Sequence, residues 1–389
     1  MKISIVILTY NRQKLVRKTL ESVLSQKYDN FEVLLLDNGS SPSVSSMVDE
    51  LGNPKIRYWR REENINGCDF VEELIDSISG SHFLMLADDD ALVPGALELA
   101  SAVFSDLNVD MLMVGFVGFR HEGTTQAVDS RLIANFTGCM EEYDGEEMCL
   151  HYCNGWGIGP KRHYRAPRMA HSSAIFLSRK LIARTREKQG SLLLKPFGDI
   201  GYAGASFNTK TVHYLDLPLA IIGETPVREM VGALPGKRRK WQKEAVRLEH
   251  SPIRGMSFVN LGADGHLKVL HRNGLAGKYD CNFRPNFYNR HLAHVLSDSP
   301  WDRTTLRDTA ECLPHFLKSI ARSLLLQASL LLSESAPSDA HGVLPGRKKE
   351  RDRKWGPPPP RHTESVSFAD INDFGEWLAD NVVRPKWRA

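Results

Sequence analysis

Three consecutive aspartates, Asp88, Asp89 and Asp90, close an apolar run that ends at Leu86 and stand just ahead of Pro94. Carboxylates this close repel one another unless a cation or water relieves them. Two chemistries suit them. They could cap the helix that Pro94 opens, since acids favour helix N-termini. Alternatively they hold a hard divalent cation, Mg2+ or Mn2+, which prefers carboxylate oxygen and often takes only one or two protein ligands beside substrate phosphates. A second polar group, Thr9-Tyr10-Asn11-Arg12, follows the apolar run Ile3–Leu8. A third, Asp37-Asn38-Gly39-Ser40, follows Phe31–Leu36. No glycine-rich P-loop or dinucleotide fingerprint follows any of these runs. Any nucleotide must therefore bind through another architecture.

The elements that position these groups can be read from periodicity. Ile3–Leu8, Phe31–Leu36, Ile56–Trp59 and Phe83–Leu86 are short and apolar, as buried strands are. Between them, Lys14–Gln26 and Cys68–Ser79 repeat apolar residues at helical spacing, and Pro94 opens a further helix. The alternation is that of an open α/β sheet. Ligands bind such sheets beyond the carboxyl ends of the strands, where TYNR, DNGS and DDD all fall. Further on, Met111–Phe119, Ser172–Phe176 and Thr211–Leu215 read as strands, and Tyr143–Tyr152 and the segment from Arg179 as helices. After about residue 236 the sheet signal fades. Residues 301–336 are helical in pattern, Pro357–Pro360 interrupt regular structure, and 369–380 form a last short helix.

Composition narrows the class. The 389 residues carry 50 Lys plus Arg against 47 Asp plus Glu, a balance that argues against a dedicated nucleic-acid binder. The six cysteines show no zinc spacing, and their scatter fits a reducing compartment. Cys149 and Cys153, four apart on a helix, are expected as core neighbours. The first apolar run is too short for a signal peptide, and no stretch reaches the length that spans a bilayer. These features place the chain in the cytoplasm. Its basic runs, Lys237–Lys240 and residues 347–354, read as solvated linkers or as contacts to phosphates or an anionic membrane face.

SIVILTYNR, VLLLDNGS, the turn Asn64-Ile65-Asn66-Gly67 and FLMLADDDALVPGAL occur in the order and approximate spacing of the family two nucleotide-sugar glycosyltransferases, which this sequence resembles closely over residues 1–104 and more loosely to about 225. The resemblance implies a GT-A-type α/β fold: an open, mostly parallel mixed sheet flanked by helices, here with a mainly helical C-terminal extension. It implies a donor-binding half at 1–104, an acceptor-binding and catalytic half at 105–236, and a C-terminal region at 237–389. It further implies that Thr9, Tyr10, Asn11 and Arg12 line a nucleotide pocket, with Tyr10 near the base. Asp37 would accept from the base ring, Asn38 and Gly39 would shape that loop, and Asn64 and Gly67 would close the ribose side. In the family's metal motif, aligned back from Pro94, Ala87 stands where the first acid usually is. Asp88 then faces the ribose or sugar, Asp89 is the metal ligand and Asp90 supports it.

Sugar transfer to a hydroxyl needs that hydroxyl deprotonated as the new bond forms, for which a carboxylate in hydrogen-bond reach is the usual group. The resemblance puts the candidate base at Asp199, which could equally cap the turn that follows. Asp216 is a weaker rival, set within an apolar strand. Trp156, Arg168 and His171 are the candidate acceptor contacts. The function implied is metal-assisted, inverting transfer from a nucleoside-diphosphate sugar, UDP-sugar favoured, to a glycan, glycolipid or small-molecule hydroxyl. The alternatives are a nucleotidyltransferase, against which the missing phosphate loop counts, and a nonenzymatic binding or assembly protein. The C-terminal helix pattern suits internal packing, a membrane face or a protein partner.

Overall fold

Runs such as Ile3–Leu8 lack the polar–apolar alternation of a half-exposed strand, so they require cover on both faces. The computed structural model provides it. It describes residues 1–121, 126–128, 136–155, 171–195, 198, 200–224, 248–251, 258–276, 366–368 and 370–387, with isolated positions at 310, 313, 314 and 317. β1 (Ile3–Thr9), β2 (Phe31–Asn38), β3 (Ile56–Arg61) and β4 (His82–Ala87) lie parallel in the order β3-β2-β1-β4. The sheet continues through β9 (Ile175–Ser178), β6 (Met111–Arg120), β10 (Thr211–Glu224) and the short β5 (Ala91–Leu92), with β8 (Met140–Asp144) also on β10. β9 runs antiparallel to both β4 and β6, whereas β6 and β10 are parallel. β5 and β8 oppose β10. Among the described residues nine strands make one open sheet in which β1, β2, β3, β4, β6 and β10 share a direction, the mostly parallel mixed sheet expected.

Side-chain alternation assigns the two faces. Ile3, Ile5 and Ile7 enter one core with Val16, Leu20 and Val23 of α1 (Gln13–Leu24) and with Leu97, Ala100 and Val103 of α4 (Ala96–Asp106). Val6, Leu34 and Leu36 enter the other, against Phe70 and Val71 of α3 (Gly67–Leu74) and Leu181 and Ile182 of α6 (Arg179–Gln189). α2 (Ser45–Leu51) lies between β2 and β3. A third cluster joins α5 (Gly145–Gly155), α7 (Ile200–Phe207) and α8 (Phe258–Arg272). Cys149 and Cys153 are fully buried in it, core neighbours as expected. α8 is tied down by Asp264, whose Oδ1 accepts from the backbone N–H groups of Glu249, His250 and Ser251 at 3.0, 2.7 and 2.8 Å.

The C-terminal end returns to the sheet. β7 (Gln126–Val128) pairs with β11 (Val366–Phe368) in a separate ribbon. α9 (Ile371–Leu378) then places Ile371, Phe374 and Leu378 in the same core as β1 and α1. A π-helical turn (Ala379–Val383) leads into α10 (Arg384–Trp387). The short last helix expected at 369–380 is thus present.

Some expectations are corrected. Tyr143 belongs to β8, paired with Val212, and the helix starts only at Gly145. There a side chain would stand 2.0 Å from the Thr209 carbonyl oxygen, so tertiary contact selects glycine at the junction. Ser172–Ala174 is a 3-10 turn and the strand begins at Ile175. Periodicity does not reveal α2, α7 and α8, because their apolar faces are short or glycine-interrupted. The basic runs, the tetraproline and nearly all of the helix expected at 301–336 lie outside the described residues. Among the described residues no helix is long and apolar enough to cross a membrane.

Glu32 shows how the parallel strands are cross-braced. It is 4% exposed, and accepts from Ser4 Oγ at 2.6 Å, Ser79 N at 2.6 Å, Arg57 Nη1 at 3.2 Å and Lys2 Nζ at 3.3 Å. Burial raises its pKa, but the bonds from Ser4, Ser79 and Arg57 outweigh burial and bring it from 4.5 to about 2. A depressed carboxyl stabilises the fold above its ordinary pKa, and that contribution disappears as pH falls through the folded value. Glu32→Gln should therefore lower the melting temperature most near neutrality, with the difference from wild type shrinking between pH 4.5 and about 2. Thermal melts across that range check it; a pH-independent difference would refute the linkage.

Candidate active site

Strand direction explains why so many polar residues meet at one edge. β1, β2, β4, β6 and β10 all end there, bringing Thr9–Arg12, Asp37–Ser40, Asp88–Asp90, His121 and Gly223. β9 runs the other way, so its N-terminal approach, His171–Ala174, arrives at the same edge.

The acidic turn is held from three sides. Thr9 Oγ1 donates to Asp88 Oδ2 at 2.8 Å. Arg12 Nη1 reaches both Asp88 Oδ1, at 3.1 Å, and Asp89 Oδ2, at 3.0 Å. Gly223 N donates to Asp90 Oδ1 at 2.8 Å, and His121 Nε2 lies 2.6 Å from the Asp89 carbonyl oxygen. Ser173 Oγ accepts from Ala87 N at 3.1 Å. His171 Nδ1 accepts from Ser173 N at 3.3 Å and stands 3.7 Å from Asp90 Oδ2. Asp90 is 1% exposed, and Oδ2 is buried without a hydrogen bond among the described residues. Burial pushes the Asp88 carboxyl up to about 6, with Arg12 opposing and Asp89 adding to the rise. Burial and then the charge of Asp89 push Asp90 to about 7. A cation at this turn would relieve both.

The second wall is the loop after β2. Asp37 is fully buried, and its carboxylate accepts from Ser40 N at 2.8 Å, Tyr58 OH at 2.9 Å and Val44 N at 3.2 Å. In this structure Asp37 therefore shapes the loop. Asn38 pairs with the backbone of Ile65 in both directions, at 2.8 and 3.1 Å, and Asn64 Nδ2 donates to the Asn38 carbonyl at 3.0 Å. Gly39 has φ +83° and passes so close to Asn64 that a Cβ would lie 2.8 Å from its nitrogen. Asn11, with φ +55°, receives Ser41 N on its side chain at 2.8 Å and donates its own N–H to Ser40 Oγ at 3.0 Å. Tyr10 stands at the mouth, 36% exposed. At Gly67 a Cβ would fall 2.4 Å from a Leu8 methyl, so a larger residue at the start of α3 would require the Leu8 side chain to shift.

The structure thus brings together Thr9, Arg12, Asp88, Asp89, Asp90 and His171 on one side, and Asn11, Asp37, Asn38, Gly39 and Asn64 on the other. Asp199, Trp156 and Arg168 lie outside the described residues. The rival Asp216 is spent on structure: its Oδ2 accepts from Thr137 N and Oγ1, both at 2.8 Å. His121, Ser173 and Gly223 were not singled out in the sequence. Only position at the ends of β6 and β10 could have flagged His121 and Gly223. Nothing local could have flagged Ser173, because an antiparallel strand delivers it.

The family model for Glycosyl transferase family 2 matches residues 4–158, which hold the whole acidic turn and both loops. Over these residues the chain is similar to members of that family. A GalNAc(5)-diNAcBac-PP-undecaprenol beta-1,3-glucosyltransferase of Campylobacter jejuni is 31% identical to this chain over 99 residues, 25% of this chain and 32% of that relative. The putative colanic acid biosynthesis glycosyl transferase WcaA of Escherichia coli K12 is likewise 31% identical over 99 residues, 25% of this chain and 36% of its own. The match thus spans about a third of the length of these curated relatives. More distantly, the structure of S. aureus TarS 1–349 in complex with UDP-GlcNAc aligns at a TM-score of 0.48 and 16% identity, covering 82% of this chain and 90% of that one.

The acidic turn suits a hard divalent cation in its chemistry. Carboxylate oxygen is the preferred donor of Mg2+ or Mn2+, and Asp90 presents a buried oxygen with no hydrogen bond among the described residues. No group of three or more His, Cys, Asp or Glu gathers as a metal site among the described residues. An ion held by Asp89 and Asp90 would take its other ligands from substrate phosphates and water.

Proposed function

We propose that this chain transfers a sugar from a nucleoside-diphosphate sugar, UDP-sugar favoured, to a hydroxyl of a glycan, glycolipid or small molecule, with inversion. The observation that carries the reading is the buried turn Asp88–Asp90, clasped by Thr9 and Arg12 at the carboxyl edge of the sheet, within a family 2 segment. The base of the donor would lie between Tyr10 and the loop that Asp37 builds, and the ribose near Asn64 and Gly67. Arg12 would meet the diphosphate, for which a guanidinium is a geometrically matched partner. Asp88 would face the ribose or sugar. Mn2+ or Mg2+, held by Asp89 and Asp90, would supply neutralisation of the leaving diphosphate. Asp199 would take the acceptor proton, and Trp156, Arg168 and His171 would position the acceptor. The name of the C. jejuni relative, which specifies a glycan on PP-undecaprenol, favours a lipid-linked acceptor, and work at the cytoplasmic face of a membrane would suit such an acceptor.

The test is release of free nucleoside diphosphate from a panel of UDP-, GDP- and dTDP-sugars with Mn2+ and a lipid-linked oligosaccharide acceptor. One donor should release its diphosphate as product forms. Asp199→Asn should slow that release by about a hundredfold, the size of a lost general base, with nucleotide affinity unchanged. Release of pyrophosphate from a nucleoside triphosphate and a sugar phosphate would instead identify a nucleotidyltransferase. Turnover of no donor would leave a binding or assembly role.

A further inference from the structure

We propose that Arg12 is the resident cation of the acidic turn, keeping the Asp89 carboxylate closed to divalent metal until a diphosphate draws its guanidinium away. This rests on the donor-site reading above.

One guanidinium nitrogen, Arg12 Nη1, serves carboxylate oxygens of two different acids, at 3.1 and 3.0 Å. The three side chains are largely enclosed: Arg12 is 17% exposed, Asp88 9% and Asp89 8%. Arg12 keeps its charge at every accessible pH, so this neutralisation is permanent while the contact lasts. A metal ion approaching those oxygens must compete with it. Coulomb repulsion between the guanidinium and a divalent ion makes joint occupation of the same oxygens unfavourable.

The backbone around Arg12 is fixed, and its side chain is partly open to solvent. The Arg12 carbonyl accepts from Leu15 N and Val16 N, both at 3.0 Å, which anchors it to the start of α1. Asn11 before it is clamped to Ser40 and Ser41. Departure of the guanidinium is therefore a side-chain motion that leaves the loop backbone in place. Phosphate oxygens offer the same fork geometry as carboxylates with more negative charge, so a diphosphate seated beside Thr9–Arg12 is a competing partner. Once Arg12 turns to it, the Asp89 carboxylate is open to a cation that the phosphates also bind. Nucleotide and metal then bind cooperatively, and linkage makes the coupling reciprocal.

The experiment titrates Mn2+ into wild type, Arg12→Met and Arg12→Lys, following the free-ion signal by electron paramagnetic resonance, with and without UDP, GDP or dTDP. Without nucleotide, Arg12→Met should bind Mn2+ at least about tenfold tighter than wild type, because two buried carboxylates have lost their counter-charge. Arg12→Lys, which keeps a cation, should stay near wild type. The preferred diphosphate should tighten Mn2+ binding by wild type far more than by Arg12→Met. Arg12→Gln gives the same charge comparison where the methionine variant fails to fold. Equal or weaker Mn2+ binding by the neutral variants, or none at millimolar metal, overturns the proposal. If no diphosphate binds any of the proteins, the donor reading fails, while the metal-alone comparison still decides the role of Arg12.

Discussion

Replacing Asp89 by alanine is expected to cut sugar transfer by about a thousandfold, in the range for loss of a group that stabilises transition-state charge, without lowering the melting temperature. The two halves of this expectation have separate causes. Asp89 gives its side chain to Arg12 and is the proposed metal ligand, so its removal disconnects the cation from the leaving diphosphate. The local backbone keeps its anchors without that carboxylate: the Asp89 carbonyl still meets His121, and Arg12 still meets Asp88. The loss of the Arg12 pair is offset: the charge of Asp89 is among the causes that raise Asp88 and Asp90, and removing a like charge from a buried cluster relieves it. Functional sites are often less stable than they could be for this reason. Steady-state kinetics beside a thermal melt distinguish the outcomes. Loss of stability parallel to loss of rate would mean that the aspartate is structural.

Gly223→Ala should damage the site from the opposite side. A Cβ at this position would lie 1.9 Å from the Asp89 carbonyl oxygen and 2.5 Å from His121 Nε2. The first neighbour is backbone and cannot rotate away. Either β10 shifts off β6, where Gly223 faces Phe119, or the acidic turn moves. Overpacking of this kind costs about 3 kcal/mol, and displacement of a catalytic turn by about 1 Å costs roughly a hundredfold in rate. The bond from Gly223 N to Asp90 would be lost with it. Gly375→Ala is the control. It sits in α9 with its nearest neighbour at 3.4 Å, an ordinary contact, and alanine is the better helix former. A normal melt and rate for Gly223→Ala would show that the edge of the sheet is softer than its packing indicates.

Much of this protein is determined by the sequence alone, and for identifiable reasons. Parallel strands covered on both faces are uninterrupted apolar runs, so β1, β2 and β4 declare themselves. A polar group at the end of each run then locates the active edge. TYNR, DNGS and DDD could be assigned to it because in a parallel sheet chain order and strand direction fix which ends coincide. Tertiary structure decided the rest. β9 enters antiparallel, which carries His171 and Ser173 to an edge that counting parallel strands would not give them. The fourteen residues of β10 bend through register shifts near Pro218 before delivering Gly223 to Asp89. α9 joins the core of β1 from more than three hundred residues away. Above all, the pairing of Arg12 with both Asp88 and Asp89 joins residues more than seventy positions apart. Such long-range ion pairs leave no periodicity in a chain, since they depend on where two loops meet and on how little water is left between them.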